Sequence, residues 1–302
     1  MSKLRITVDM FSGRPNPVIE LSAKESREAL AMLASRRPIE KGEPGLPPEP
    51  TLGYRGLIVE QVGAIDRKLP RSFRVADDTV LSRQATQMVE DDAFEQFVLS
   101  PGRLRQLGLG REFPKVLERE LARFRRVRKL WPWPWHPPHH KFPLRPRCRC
   151  APLYEPAWWN DGAQRQLQNN CYNYGTNYRT DTFRQIPGGS QPGAAAGAMY
   201  GSLTGPAVLA AAIADGLIDS PSANNKCPGE GHLAALVIAP GIDFHWFRKG
   251  RSGYWSHKPG STPVTNLDNS NALIPDPRTA DRGMYTQFTT FMVVMHGHVK
   301  VK

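Results

Sequence analysis

Cys171 has the residue type and the sequence context of a catalytic nucleophile. It stands in the segment QNNCYNYGTN, residues 168–177, directly after Asn169 and Asn170. Asparagine is among the best N-cap residues, so the sequence predicts that a helix begins at this cysteine. Unpaired backbone N–H groups and the positive end of a helix dipole lower the pKa of a thiol in such a position, which favours the reactive thiolate.

A thiolate nucleophile requires a base, and two histidines of one predicted hairpin are candidates for that role. The segment DFHWFRKGRSGYWSHKPG, residues 243–260, has the pattern of two strands joined by a turn at Lys249–Gly253. A turn centred on Arg251 places His245 directly opposite His257, with Cβ atoms roughly 4.5–5.5 Å apart. A register that differed by one residue would separate the two imidazoles onto different faces. We therefore predict an interacting pair, one histidine acting as base and the other orienting it.

The order of these elements resembles the NlpC/P60 branch of the papain-like thiol hydrolases. Members of that branch carry a cysteine at a helix start, a histidine at the beginning of a later strand and a second polar residue on the adjoining strand. The resemblance covers residues from about 155 to 295 and implies that Cys171 is the nucleophile, His245 the base and His257 the orienter. It also implies an α+β fold, in which the nucleophile helix packs on an antiparallel sheet.

The sequence departs from that branch around the nucleophile. Asn-Cys-Tyr-Asn replaces the usual Asp-Cys-Ser-Gly, and Trp159 stands where a tyrosine is usual. A papain-type assignment is also open, in which His257 is the base and either Asp268 or Asn266 orients it. Two glutamines ahead of the cysteine are candidate oxyanion donors: Gln166 and Gln168.

The patterns of the surrounding sequence predict the elements that position these residues. A helix with Pro206 in its first turn and Gly216 as its C-terminal stop is predicted between the cysteine and the hairpin. In the N-terminal half, Ser22 and Glu25 form a capping-box pair that starts another helix. Four strands are predicted after this helix: His232–Ala239, Phe244–Arg248, Tyr254–Lys258 and Phe288–Val301.

The other three cysteines are Cys148, Cys150 and Cys227. Four cysteines in 302 residues are few for a secreted disulfide scaffold, so we expect reduced thiols and a cytoplasmic protein. The N-terminal sequence MSKLRITVDMF has no secretory h-region, and export by a non-classical route stays open. Cys148 and Cys150 lie near His139 and His140, a candidate zinc site whose spacing is not that of a standard zinc finger. We expect neither a metal nor a cofactor.

Positive charge is concentrated in one stretch of the chain. The whole sequence carries a net charge of +12, and residues 101–150 hold 14 basic against 3 acidic residues. Within this stretch, Trp131–Pro146 has six prolines in sixteen residues, which favours extended geometry over helix. We predict a small α+β module over residues 1–130 that ends in a basic helix, a Pro/Trp/Arg-rich linker over 131–150 and a papain-like domain over 151–302.

Three functions are compatible with these features. The first is hydrolysis of a peptide, amide or ester bond through an acyl-thioester on Cys171. The second is acyl transfer by the same nucleophile. The third is a non-enzymatic interaction protein, whose basic Trp/Pro-rich region over residues 101–150 binds an anionic partner or a membrane surface. With 40% hydrophobic and 23% charged residues, the composition excludes the disordered and integral-membrane classes.

Overall fold

The chain forms two compact units in the computed structural model, which describes residues 2–33, 50–65, 70–76, 79–81, 86–88, 92–130, 146–161, 164–186 and 188–302. The described residues of the first unit come from Met1–Met10, Asn16–Pro48 and Tyr54–Pro134; those of the second come from Phe11–Pro15, Glu49–Gly53 and Trp135–Lys302. Two short segments of the N-terminal half thus belong to the second unit, which the sequence did not indicate. Most of the predicted linker, with His139 and His140, lies outside the described residues.

The first unit is built on an antiparallel sheet with the strand order β2-β1-β3-β4-β5-β6. Helix α1 starts with the predicted capping box, in which Ser22 and Glu25 each accept a hydrogen bond from the other's backbone N–H. The elements are β1 Ser2–Val8, β2 Val18–Leu21, α1 Ala23–Ala31, β3 Leu57–Gly63, β4 Ser72–Ala76, β5 Thr79–Leu81, β6 Thr86–Met88, α2 Ala93–Val98, α3 Pro101–Gln106 and α4 Phe113–Leu130.

A buried ion cluster lies in the core of this first unit. The carboxylate of Asp9 contacts Arg55 at 2.7 Å and Arg74 at 2.9 Å, and all three side chains are almost completely buried. Burial by itself raises the pKa of Asp9, but the two guanidinium groups together hold that pKa well below its usual value. The cluster is therefore charged at neutral pH.

The second unit is also α+β, with the antiparallel strand order β10-β9-β8-β11-β7. This confirms the predicted class of mixed helices and antiparallel sheets. Its elements are α5 Pro156–Trp159, α6 Gln164–Gln168, α7 Cys171–Thr176, α8 Gly205–Ala214, β7 Ile218–Asp219, a 3-10 helix Pro221–Ala223, β8 His232–Ala239, β9 Asp243–Lys249, β10 Trp255–His257 and β11 Gln287–Val294.

Local signals placed most of these elements correctly. Helix α8 has Pro206 in its first turn, and Gly216 follows it with a φ of +101°, as the sequence predicted. Strand β8 has the predicted bounds and is buried at every position, because the sheet is covered on both faces. Strand β11 ends at Val294 instead of continuing to Val301, since the chain turns at Gly297, where φ is +83°.

The hairpin of β9 and β10 has a register that differs from the predicted one. His257 is the strand partner of Phe247, not of His245. The turn is centred on Ser252, one residue later than predicted, and Gly253 within it adopts the left-handed conformation with a φ of +82°. Moving the centre of a hairpin by one residue shifts every partner by two, so all side chains keep their predicted faces.

No helix in the described part of the chain combines the length and the apolar character that crossing a membrane requires.

Candidate functional site

Helix α7 begins at Cys171, as the sequence predicted. The side-chain oxygen of Asn170 accepts hydrogen bonds from the backbone N–H groups of Tyr172 at 2.9 Å and Asn173 at 3.1 Å. The Asn173 side chain accepts in return from the N–H of Asn170 at 3.0 Å, which completes a capping box built from two asparagines. The cysteine therefore occupies the first helical position.

The Cys171 thiol lies in the core of the second unit, and its role as nucleophile stays a prediction. Its side chain is completely buried, in a core cluster that includes Phe244 and Trp246 of β9. Burial raises the pKa of the thiol well above its ordinary value, and the nearby carboxylate of Asp243 raises it further. The backbone of Trp246 and the ammonium group of Lys258 act in the opposite direction but do not compensate. The backbone N–H at the helix start does lower the pKa of the thiol, but burial raises it by more, so the net shift is upward.

The two predicted histidines do interact. The Nε2 atom of His245 lies 2.9 Å from the Nδ1 atom of His257, and both side chains are completely buried. The prediction that the imidazoles share one face of the hairpin is confirmed, whereas the prediction that they stand directly opposite each other is wrong by two residues. Their roles as base and orienter stay predictions.

A backbone carbonyl determines the proton positions in this pair. The Nε2 atom of His257 lies 2.9 Å from the carbonyl oxygen of Leu267, which can only accept, so this nitrogen carries the proton. Burial lowers the pKa of His257 to about 4, so the ring is neutral at neutral pH and its Nδ1 accepts. His245 must then donate through its own Nε2. A hydrogen bond donated by His245 and accepted by His257 is what we expect if His257 orients His245 as the base.

The papain-type alternative requires Asp268 or Asn266 to orient His257. Asp268 accepts hydrogen bonds from the backbone N–H groups of Ser270 at 2.9 Å and Asp281 at 2.9 Å, so its carboxylate organises a turn. Asn266 precedes Leu267 in the chain. The ring nitrogen of His257 that an orienting side chain would have to bond, Nε2, is bonded instead to the backbone carbonyl of Leu267. Both candidate oxyanion donors lie in α6. The Gln166 side chain donates to the Ser261 carbonyl at 3.4 Å, and the backbone carbonyl of Gln168 accepts from the N–H of Phe183.

Strand alternation assigns His245 and the aromatic residues around the thiol to different faces of β9. Successive side chains of a strand point to opposite faces, and Phe244 and Trp246 of β9 pack with Cys171. His245 and Phe247, which alternate with them, face the other way, and their ring centroids are 4.8 Å apart. The structure brings the two histidines together.

Asp243, the first residue of β9, organises a loop that the sequence did not connect with this site. Its carboxylate accepts hydrogen bonds from the backbone N–H groups of Ser12 at 2.6 Å, Gly13 at 3.2 Å and Arg14 at 3.1 Å. The hydroxyl of Tyr285 donates to the same carboxylate at 2.6 Å. Burial raises the pKa of Asp243, and these donors partly offset that effect.

The same loop reaches the start of the Cys171 helix. The carbonyl of Gly13 accepts hydrogen bonds from the side chains of Asn170 and Gln191, both at 2.7 Å. Gly13 also lies so close to the ring and backbone of Phe244 that no side chain fits at this position. The loop Phe11–Pro15 therefore contacts the N-cap residue of α7 through Gly13. Nothing in the string FSGRPNP, residues 11–17, indicated that this segment contacts α7.

Comparison with known proteins gives one informative match. Over 148 residues the chain is 44% identical to insoluble matrix shell protein 1 of Ruditapes philippinarum, and the match covers 91% of that protein and 48% of this chain. The chain belongs to the family of this shell matrix protein. No protein-family profile matches this member of the family, and no solved structure does.

Two cysteines of this shell matrix family member are joined in a disulfide. Cys148 pairs with Cys227 across 79 residues, with a Cα–Cα distance of 5.4 Å, while Cys150 and Cys171 are free. The expectation of four reduced thiols is therefore wrong for two of them. Cys148 is also unavailable as a zinc ligand, and within the described ranges no group of three or more metal-ligating side chains converges. No local sequence pattern predicts the pairing of Cys148 with Cys227, because the bond joins distant segments.

Proposed function

We propose that this chain is a non-catalytic matrix protein that binds an anionic partner. The observation that carries the proposal is the complete burial of Cys171 in a core cluster with Phe244 and Trp246, two side chains that alternate along β9 with His245. A thiol hydrolase needs its base within hydrogen-bond reach of the sulfur, and a buried thiol with a raised pKa is protonated at neutral pH. The name of the relative, an insoluble matrix protein of shell, supports a structural role.

The papain-like resemblance fits this proposal as a likeness of architecture alone. A helix that begins with a cysteine packs on an antiparallel sheet, and that sheet carries two hydrogen-bonded histidines. We infer that the second unit keeps this arrangement and uses its polar residues for internal bonds. Asp243 is an example, since its carboxylate accepts from three backbone N–H groups and one hydroxyl. Groups engaged in this way stabilise a fold and are not positioned to turn over a substrate.

The basic helix of the first unit supplies the surface for an anionic partner. Lys115, Arg119 and Arg126 of α4 are exposed, and they lie within an arc of about 40° because 3.6 residues make one turn. The row they form is about 17 Å long at 1.5 Å per residue. Lys115 also contacts Glu112 at 3.2 Å, an exposed pair that contributes little energy. Such a row of cations attracts extended anionic chains.

The disulfide supports a location outside the reducing cytoplasm. Disulfides persist in oxidising compartments and are rare where glutathione keeps thiols reduced. The bond between Cys148 and Cys227 therefore favours export of the chain, in keeping with the extracellular nature of a shell matrix. We propose this location in place of the cytoplasmic one expected from the sequence.

Thiol labelling tests the non-catalytic assignment. In the folded protein, a fluorescent iodoacetamide should label the exposed Cys150, while Cys171 should react only after denaturation, because it is completely buried. The Cys150→Ser variant is the control and should remain unlabelled while folded. Rapid labelling of Cys171 in this variant at neutral pH would overturn the assignment and restore the hydrolase.

Binding to polyaspartate tests the anionic partner. Replacing Lys115, Arg119 and Arg126 with glutamine should weaken binding at least tenfold and should reduce its dependence on salt concentration. The matched control replaces three exposed cations elsewhere in the same unit: Lys3, Lys24 and Arg71. If both triple variants bind equally well, or if the unchanged chain does not bind polyaspartate in low salt, the helix is not the binding surface.

A further inference from the structure

Three of the four cysteines lie together in the second unit. Cys148 is bonded to Cys227, and Cys150 follows Cys148 by two positions. The Sγ atom of Cys150 donates a hydrogen bond to the carbonyl of Gly229 at 3.2 Å. Because Gly229 is only two residues beyond Cys227, this bond holds the free thiol beside both segments that the disulfide joins.

The three cysteines differ in solvent exposure, and the difference favours thiol–disulfide exchange. Cys148 is only 2% exposed, Cys227 is half-buried and Cys150 is exposed. A thiolate attacks a disulfide at the sulfur that it can reach, so the accessible target is Cys227. Cys148 is then the leaving group, and it is already in a buried position that suits a neutral thiol.

We propose that Cys148, Cys150 and Cys227 form a thiol–disulfide exchange site. The Cys150 thiol loses its proton to solvent, and the thiolate attacks the Sγ atom of Cys227. A Cys150–Cys227 bond forms as the Cys148–Cys227 bond breaks, and the bonding electron pair leaves on the Sγ atom of Cys148, which takes a proton from water. One disulfide replaces another, so the step consumes no oxidant and no reductant.

The two pairings constrain the unfolded chain almost equally. The original bond has a sequence separation of 79, and the alternative has one of 227 − 150 = 77. In the chain-entropy description, the stabilisation by a disulfide depends only on the logarithm of this loop length, so the two forms differ negligibly. Local geometry and burial of the free thiol therefore decide the equilibrium between them.

Exchange changes what the chain presents to solvent. In the first pairing the free thiol is the exposed Cys150, and in the second it is the buried Cys148. The site thus controls whether the surface offers a thiol to the disulfides of other molecules. This inference goes beyond the proposed matrix function and does not depend on binding of an anionic partner.

The Cys148→Ser variant gives the sharpest test. After refolding in a mixture of reduced and oxidised glutathione, the monomer should contain a Cys150–Cys227 bond in more than half of its chains. The measurement is acid quenching, alkylation and peptide mapping without reduction. Cys150→Ser is the matched control and should contain only the Cys148–Cys227 bond.

Two results would overturn the exchange site. One is a folded Cys148→Ser variant, with the circular dichroism of the unchanged chain, in which Cys150 and Cys227 are both alkylated. The other is a variant whose chains are joined as dimers through Cys150. If Cys148→Ser does not fold, the unchanged protein held at pH 8 and then acid-quenched should yield at least one tenth of its disulfide as Cys150–Cys227, and its absence would overturn the proposal.

Discussion

The Nε2 atom of His245 lies 2.9 Å from the Nδ1 atom of His257, although the strand partner of His257 is Phe247. The imidazoles therefore meet diagonally across the hairpin. Diagonal neighbours on one face are about 7–8 Å apart at the backbone, a distance that two ring side chains can span.

The hydrogen-bond chain from His245 to the Leu267 carbonyl predicts one tautomer for both rings. Each imidazole should carry its proton on Nε2, because the carbonyl accepts from His257 and the Nδ1 atom of His257 accepts from His245. Long-range 1H–15N correlation spectra at pH 7 should show this tautomer in both residues. A protonated Nδ1 in a neutral His257 would contradict the arrangement.

Acid should destabilise the second unit through its buried histidines. Burial lowers the pKa of His232 and of His257 to about 4, so the unfolded chain, with an ordinary value of 6.5, binds protons first as the pH falls. The contribution of each histidine to the free energy of unfolding is therefore complete above pH 6.5. It is lost as the pH falls towards 4, which lowers the free energy of unfolding by about 3 kcal/mol for each histidine.

The His232→Gln variant isolates one of these contributions. Its amide can still donate to the Gly175 carbonyl, which His232 Nε2 contacts at 2.9 Å, but glutamine does not titrate. In urea unfolding, the loss of unfolding free energy between pH 7 and pH 4.5 should be smaller in the variant by about 2 kcal/mol. If the variant and the unchanged protein lose the same unfolding free energy between these pH values, the pKa of His232 is not lowered in the folded state.

Gly13→Ala should destabilise the second unit by about 2 kcal/mol or more, because the added methyl group would overlap the ring and the backbone of Phe244. Gly201→Ala is the control, since nothing lies within 4 Å of the position of its Cβ atom. Chemical unfolding followed by tryptophan fluorescence should show a clear loss for the first variant and little change for the second. Equal stability of the two would mean that the loop Phe11–Pro15 is not packed on Phe244.

Asp9→Asn should cost the first unit about 3–5 kcal/mol, because it removes the negative charge that Arg55 and Arg74 share in the core. Glu20→Gln is the control. Glu20 contacts Arg5 at 3.0 Å on the surface, where an ion pair contributes roughly 1 kcal/mol or less. Denaturant midpoints of the two variants should therefore differ widely. Similar midpoints would show that the buried cluster contributes no more to the free energy of unfolding than the surface pair does.

Short-range interactions in the sequence by themselves determined where several elements begin and end. Asn170 caps the Cys171 helix and Ser22 caps α1 through hydrogen bonds that span two or three residues, so the signal and the structure lie together in the chain. Strand alternation likewise placed His245 and His257 on one face, since a period of two survives an error of two residues in register. What the sequence missed here was the centre of the turn.

Only the tertiary structure decided which elements meet. Whether Cys171 packs with the even- or the odd-numbered side chains of β9 depends on the whole core, and in the structure its cluster includes the even-numbered Phe244 and Trp246. The disulfide joins residues 79 positions apart, and the bond between Ser12 and Asp243 spans 231 positions. Contacts of this length leave no local pattern, because each partner satisfies only ordinary turn or strand preferences in its own segment. Burial, which raises the pKa of the thiol, likewise results from packing that no single segment encodes.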